Sequence, residues 1–146
     1  VYTVRAALES LAARLAAQRL TEKDVETLRH VLDEMIQAAQ QQDEKDMVRL
    51  DNRFHETILR ISDNQLLHHL WQTLQFGYWT IVTTRTSESN LEELARRHEV
   101  LLDALVSRDP QKAGRAMRRH IEDLGKPPDG SSGAAESPDD ENEHAL

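Results

Sequence analysis

An all-α fold of about six helices is predicted by three features of the sequence. Ala, Leu, Glu, Gln and Arg dominate, and these side chains lose little on entering a helix. Gly and Pro are scarce before position 125, and β-branched runs are nearly absent. Apolar residues recur every three to four positions in segments separated by capping residues. At 146 residues the chain is long enough for one domain with its own core and too short for two.

The first helix is expected over Tyr2–Arg19, with Val4, Leu8, Leu11, Ala12 and Leu15 on its apolar side. Thr21 caps the second, and Asp24 three residues on completes a variant of the capping box; Val25, Leu28, Leu32, Met35, Ile36 and Ala39 form its stripe. The QQQ run before Asp43 breaks it, and Asp43 caps a third helix reaching about Ile61. Ser62-Asp63-Asn64 reads as a turn, followed by a fourth helix from Gln65 to about Thr84. Ser87–Asn90 supplies the cap of a fifth, marked by Leu91, Leu94, His98, Leu101 and Leu105. Asp109-Pro110, a cap with proline at the first helical position, opens the sixth through Ala113, Ala116, Met117, His120 and Leu124. The domain is thus placed at residues 1–124. Residues 125–146 have no apolar period and are expected to be a disordered acidic tail.

Composition excludes several classes of function. Without cysteine there is neither a disulfide framework nor a thiolate metal site, which fits a reducing, cytoplasmic compartment. No apolar run could span a bilayer, and the opening VYTVRAALES lacks the layout of a signal peptide, so no membrane association is expected. The net charge is −8, and the tail holds six acids against Lys126. The remaining body is mildly acidic and lacks the basic footprint of a nucleic-acid surface. Arg96-Arg97 and the Arg115, Arg118, Arg119 cluster read as solvated helix faces.

Four side chains break the apolar pattern where helices turn inward. In LDNRFHETIL, Met47, Leu50, Phe54, Ile58 and Ile61 form the main stripe, and Asp51 and His55 stand one turn apart in the row beside it. His98 interrupts the stripe of the fifth helix, and His120 that of the sixth. His30 and His69 point away from their apolar faces, and His68 sits at a flank. Taken singly, each of the four inward donors fits a hydrogen-bonded polar residue at the edge of a core. Together they also fit a metal site, because a divalent cation compensates a buried carboxylate and neutral imidazoles at once. Imidazole with carboxylate suits Zn, Ni, Fe or Mn.

Several of these segments resemble the effector-binding C-terminal domain, the FCD domain, of the FadR subfamily of GntR transcription regulators. They are the opening VYTVRAALESLAARLAA, LDNRFHETIL, SDNQLL, RRHEVLLDAL and RDPQKAGRAMRRHIE, which together cover Tyr2 to about Leu124. The resemblance implies an antiparallel helical bundle whose interior holds a divalent transition metal and a small organic acid effector, with homodimerisation through the same domain. It matches Asp51, His55, His98 and His120 to the metal ligands of the family's metal-binding branch. It also matches Arg5 to a first-helix arginine able to clamp a carboxylate, and Asn64 to a turn asparagine. Arg5 also fits an i, i+4 surface pair with Glu9, and Asn64 a capping role. Arg85, with Trp71, Tyr78 and Trp79, is a further candidate to line the effector cavity or the dimer face. The family's winged helix-turn-helix has no counterpart in this chain, so DNA contact is expected only through a domain that the chain lacks.

The expected function is therefore a metal-dependent sensor of small carboxylates and a dimerisation domain, not an enzyme. Two alternatives stay open at this point. One is a small hydrolase-like metalloenzyme using an Asp/His₃ site. Against it, Glu56 and Glu99 should face away from the site, leaving no general base beside it. The other is a metal-free helical dimerisation module.

Overall fold

The computed structural model describes residues 1–74, 76, 80, 81, 84, 85 and 90–126. Among these are six helices and no strand: α1 Tyr2–Arg19, α2 Glu22–Gln40, α3 Glu44–Ile61, α4 Gln65–Thr73, α5 Leu91–Val106 and α6 Pro110–Leu124. Residues 76, 80, 81, 84 and 85 are also helical. Tyr78, Trp79, Ser87 and the tail from 127 onward lie outside the described residues. No described helix is long and apolar enough to cross a membrane.

The capping residues read from the sequence set the boundaries. Thr21 and Asp24 form a reciprocal capping box, with the Thr21 hydroxyl accepting from the Asp24 N–H at 3.1 Å and the Asp24 carboxylate accepting from the Thr21 N–H at 2.9 Å. Asp43, Asn64, Asn90 and Asp109 each accept from backbone N–H groups in the first turn that follows, satisfying donors that would otherwise be orphaned. At the other ends of α2, α3 and α5, the chain reverses through Gln42, Asp63 and Arg108, whose φ angles of 58°, 53° and 57° are left-handed. Each donates its N–H back to the helix it leaves, to the carbonyls of Ala39, Arg60 and Leu105.

Five helices close a ring: α1 packs on α6, α6 on α5, α5 on α2, α2 on α3, and α3 on α1. The fourth helix lies outside that ring, against α3 and α1. Phe54, Ile58, Leu28, Met35, Met117 and Ile121 fill the interior with no more than 1 % of their surface exposed. Gly114 lets α6 close on α1, since a Cβ there would come within 2.5 Å of Arg14 Cγ.

The face of α1 departs from expectation. Val4 and Leu11, assigned to its apolar side, are 52 % and 42 % exposed, whereas Ala6, Ala12, Ala13, Ala16 and Ala17 are buried beside Arg5 and Glu9. Small side chains let α1 approach α6 and α3 closely, and that proximity outweighs the larger transfer energy of the leucines. Ala16→Leu is therefore expected to destabilise the domain by about 1–3 kcal/mol through overpacking, while Leu11→Ala stays within about 0.5 kcal/mol. Urea unfolding midpoints compare the two; the opposite order would return the leucine side of α1 to the core.

Candidate metal centre

Each of the four inward donors sits where its helix faces the middle of the ring. One turn of α3 carries Asp51 and His55, α5 carries His98, and α6 carries His120; all four are buried, with 7, 0, 1 and 7 % exposure. One nitrogen from each imidazole lies within 4.8 Å of the other two. Asp51 joins this group through His98, whose Nε2 is 2.9 Å from Asp51 Oδ1. Phe54 closes one side with its ring edge-on to His98 at 5.2 Å.

Hydrogen bonds to the outer nitrogens aim the inner ones. His98 Nδ1 is 3.0 Å from the Ala95 carbonyl, which can only accept, so Nδ1 carries the proton. His55 Nδ1 likewise donates to the carboxylate of Glu9. With both Nδ1 atoms donating outward, the Nε2 atoms of His55 and His98 face one another across 3.3 Å. Two imidazole nitrogens and a carboxylate converging at such distances require a proton or a metal ion between them. Burial, then the neighbouring His98 and His55, lowers the His120 pKa well below 6.5, which leaves its imidazole neutral and able to donate an electron pair.

The carboxylates have opposite surroundings. Burial raises the Glu9 pKa, but Arg5 and His55 outweigh it and hold the group down at about 2. Glu9 Oε1 accepts from Arg5 Nε at 2.6 Å and from Trp71 Nε1 at 2.9 Å, and Oε2 is taken by His55. Asp51 is also held ionised, with burial opposed by His98, His55 and Arg5. Yet Asp51 Oδ2 is buried without any hydrogen-bond partner. An orphaned carboxylate oxygen beside three converging imidazoles is the donor set that a divalent ion satisfies, so the residues present fit the metal.

The space at the centre is small. A cavity of about 20 Å³ is lined by Arg5, Asp51, Thr80, Arg97, His98 and His120, among others. That is room for an ion or one water, not for an organic acid.

A family model for the FCD domain matches residues 1–123. The chain belongs to the FCD domain family. Among curated proteins, the probable D-xylose utilization operon transcriptional repressor of Paenarthrobacter nicotinovorans is 30% identical over 118 residues, covering 81% of this chain and 52% of that protein. The Glc operon transcriptional activator of Escherichia coli K12 is 31% identical over 133 residues, covering 84% of this chain and 52% of that protein. The FCD domain thus spans about half the length of these relatives. Among solved structures, E. coli McbR/YncC superposes with a TM-score of 0.72 at 23% identity, over 84% of this chain and 65% of that one. Streptococcus agalactiae GntR gives 0.70 at 22% identity, over 84% and 55%. These two likenesses establish the fold.

Within this FCD domain, the other residues singled out from the sequence divide. Arg5 does pair with Glu9, but the pair is buried, at 1 and 0 % exposure, instead of lying on the surface, and Arg5 lines the central cavity. Asn64 is the cap of α4, accepting from the Leu67 N–H at 3.0 Å, and does not line that cavity. Arg85 is exposed and paired with Glu44 at 2.9 Å, so it too stays outside. Trp71 is buried as a donor to Glu9. His30 and His69 are exposed, and His68 meets Glu56 at 3.2 Å. Glu56 and Glu99 point away from the centre, as their positions in sequence required. Glu9, Thr80 and Arg97 were missed. Glu9 had one signal: it stands one turn from Arg5 and on the alanine side of α1, three and four residues before Ala12 and Ala13.

Removing Arg5 strands Glu9 as an uncompensated buried charge. Arg5→Ala is expected to cost about 3–5 kcal/mol of stability. Arg118→Ala, which breaks the exposed 3.2 Å pair with Glu122, should cost less than about 1 kcal/mol. Equal small losses in chemical denaturation would contradict the buried network.

Proposed function

We propose that this FCD domain is the metal-dependent, carboxylate-sensing and dimerising part of a GntR-type transcription regulator of the FadR subfamily. The single observation that carries the metal reading is the orphaned Asp51 Oδ2 beside three imidazoles directed at one point. Asp51, His55, His98 and His120 would hold one divalent transition metal. Zn, Ni, Fe and Mn all accept this mixture of nitrogen and oxygen donors. Such an ion supplies positive charge and open positions for the oxygens of a small organic acid.

The chain's own residues prepare for an anion. Arg5 is locked by Glu9 on one side and reaches Thr80 Oγ1 at 3.4 Å on the other, so its fork faces the cavity already ordered. A carboxylate arriving there meets a guanidinium that has lost its freedom in advance. Since the central cavity is ion-sized, lodging an acid requires the surrounding side chains to move, and this is how occupancy would alter the shape of the domain. Dimerisation is supported by Leu66, Leu70 and Leu74, a row one turn apart along and just past α4 that is 68, 38 and 42 % exposed. Contact with DNA would fall to a winged-helix domain of such a regulator, and a cytoplasmic location would go with that role.

The reading as a regulator is favoured over a metalloenzyme by the relatives, which are named as repressors and activators; of the two carboxylates beside the histidines, Asp51 would be a metal ligand. Glu9 is fully engaged by Arg5, His55 and Trp71.

Saturating Zn²⁺ or Ni²⁺ is expected to raise the melting temperature, with about 2.7 kcal/mol contributed at a hundredfold excess over Kd. His120→Ala should abolish this gain and His69→Ala preserve it. Glu9→Gln, which loosens the anchor of His55, should weaken metal binding about 10–100-fold. Equal responses from the two histidine variants would place the metal elsewhere.

The effector assignment has its own test. Small hydroxy- and dicarboxylic acids should bind to metal-loaded protein in titration calorimetry and fail to bind after chelation. Unchanged binding after chelation would replace the metal-dependent sensor by a metal-free pocket.

A further inference from the structure

Behind His120, between α5 and α6, lies an open groove of about 500 Å³, far larger than the central cavity and of the size that small-molecule ligands occupy. Leu101, Ala104 and Ala116 contribute its apolar floor. Around them stand Arg97, Lys112, Arg115 and Arg119, against Asp103 and Asp123.

The pairing of these charges is selective. On α5, Arg96 points away and is held by Glu92 at 2.8 Å and Glu99 at 2.9 Å. On α6, Arg118 is held by Glu122. None of the four cations in the groove makes an ion pair with a described carboxylate, and Asp123 is bridged to Lys126. Arg96 and Arg118 are thus held in close ion pairs, whereas the groove cations meet Asp123 only at longer range. Arg97 is also half-buried, lines both the groove and the central cavity, and donates from Nη2 to the His120 carbonyl at 3.0 Å. It is a cation shared by the two spaces, it feels Asp123 and Asp51 at longer range, and no carboxylate is within ion-pair distance of it among the described residues.

We propose that the α5/α6 groove is a second anion site, separate from the central cavity, for a small acid bearing two or more carboxylate or phosphoryl groups. One group sits on Arg97 at the inner end, and another on Arg115 and Arg119 at the outer end. A guanidinium fork suits either oxyanion, and the short apolar floor suits the carbon skeleton between them. Because Arg97 holds the backbone of His120, occupancy of the groove is transmitted to that histidine. This last consequence rests on the metal reading above, whereas the anion site itself does not.

The test is calorimetry on the full chain, stripped of metal by chelation and dialysis, with tricarballylate as the carboxylate probe and 3-phosphoglycerate as the phosphate probe. At least one should bind without metal, and the stronger of the two identifies the oxyanion preferred. Affinity should fall at least tenfold in Arg97→Gln and in the Arg115→Gln/Arg119→Gln double variant, and remain within twofold in Arg96→Gln and Arg118→Gln. The double variant alters exposed side chains only, so it decides the matter even if Arg97→Gln disturbs packing. Binding by neither probe would overturn the proposal, as would equal losses from Arg96→Gln, which would mean diffuse attraction. Binding only to metal-loaded protein would place the acid at the central site instead. Binding that appears only after Asp139, Asp140, Glu141 and Glu143 are changed to their amides would assign the groove to the chain's own acidic segment. Should the domain take up no metal, groove binding is still expected, so the two readings fail separately.

Discussion

Glu9 is a fully buried carboxylate, and the arrangement of the polar interior follows from how its charge is met. Arg5 on its own helix, His55 on α3 and Trp71 on α4 each place a donor on it. Three helices are tied at one point, and the tie has direction. By taking the Nδ1 proton of His55, Glu9 turns the other nitrogen of that ring inward. By taking Arg5 Nε, it leaves the rest of the guanidinium facing the cavity. A neutral residue at position 9 could fill the space, but it would orient neither neighbour with a charge.

The interior of the ring concentrates charge. Two ionised carboxylates, Glu9 and Asp51, are buried with the guanidinium of Arg5, and the half-buried Arg97 lines the same cavity. In a medium of low effective dielectric, the close approach of His98 Nε2 to Asp51 needs a shared proton or a metal ion to bridge it. Asp51 Oδ2 remains unsatisfied when the proton does so, because the proton serves Oδ1 alone. A divalent ion would answer both demands. In the proposed site, His55 is held from behind by Glu9 and His98 by the Ala95 carbonyl.

Much of this was legible in the sequence because caps and periodicity are local. Thr21, Asp43, Asn90 and Asp109 announced their helices through short-range hydrogen bonds that need no tertiary context; the inward positions of His98 and His120 followed from the stripes they interrupt, and that of His55 from the row beside the stripe of its helix. What stayed hidden depends on contacts between helices. On α1, leucine and alanine compete for the core, and the choice is made by how closely α6 and α3 approach, which a single helix does not encode. The buried state of Arg5 and Glu9 follows from that choice. Arg96 and Arg97 were indistinguishable as neighbours in sequence, yet one is fixed by Glu92 and Glu99 and the other turns toward His120. Asn64, expected as an effector ligand or a cap, caps α4, and Arg85 stands in an exposed ion pair with Glu44.

The proposed centre is one ion held by Asp51, His55, His98 and His120. Anomalous diffraction from crystals of protein purified without chelator addresses it most directly, with data collected at the absorption edges of Zn, Ni, Fe and Mn. A single strong peak is expected about 2.0–2.2 Å from a nitrogen of each of the three imidazoles and from an Asp51 oxygen. A centre with no anomalous scatterer in protein saturated with each metal in turn, or a peak at the exposed His30 or His69 instead, would contradict it.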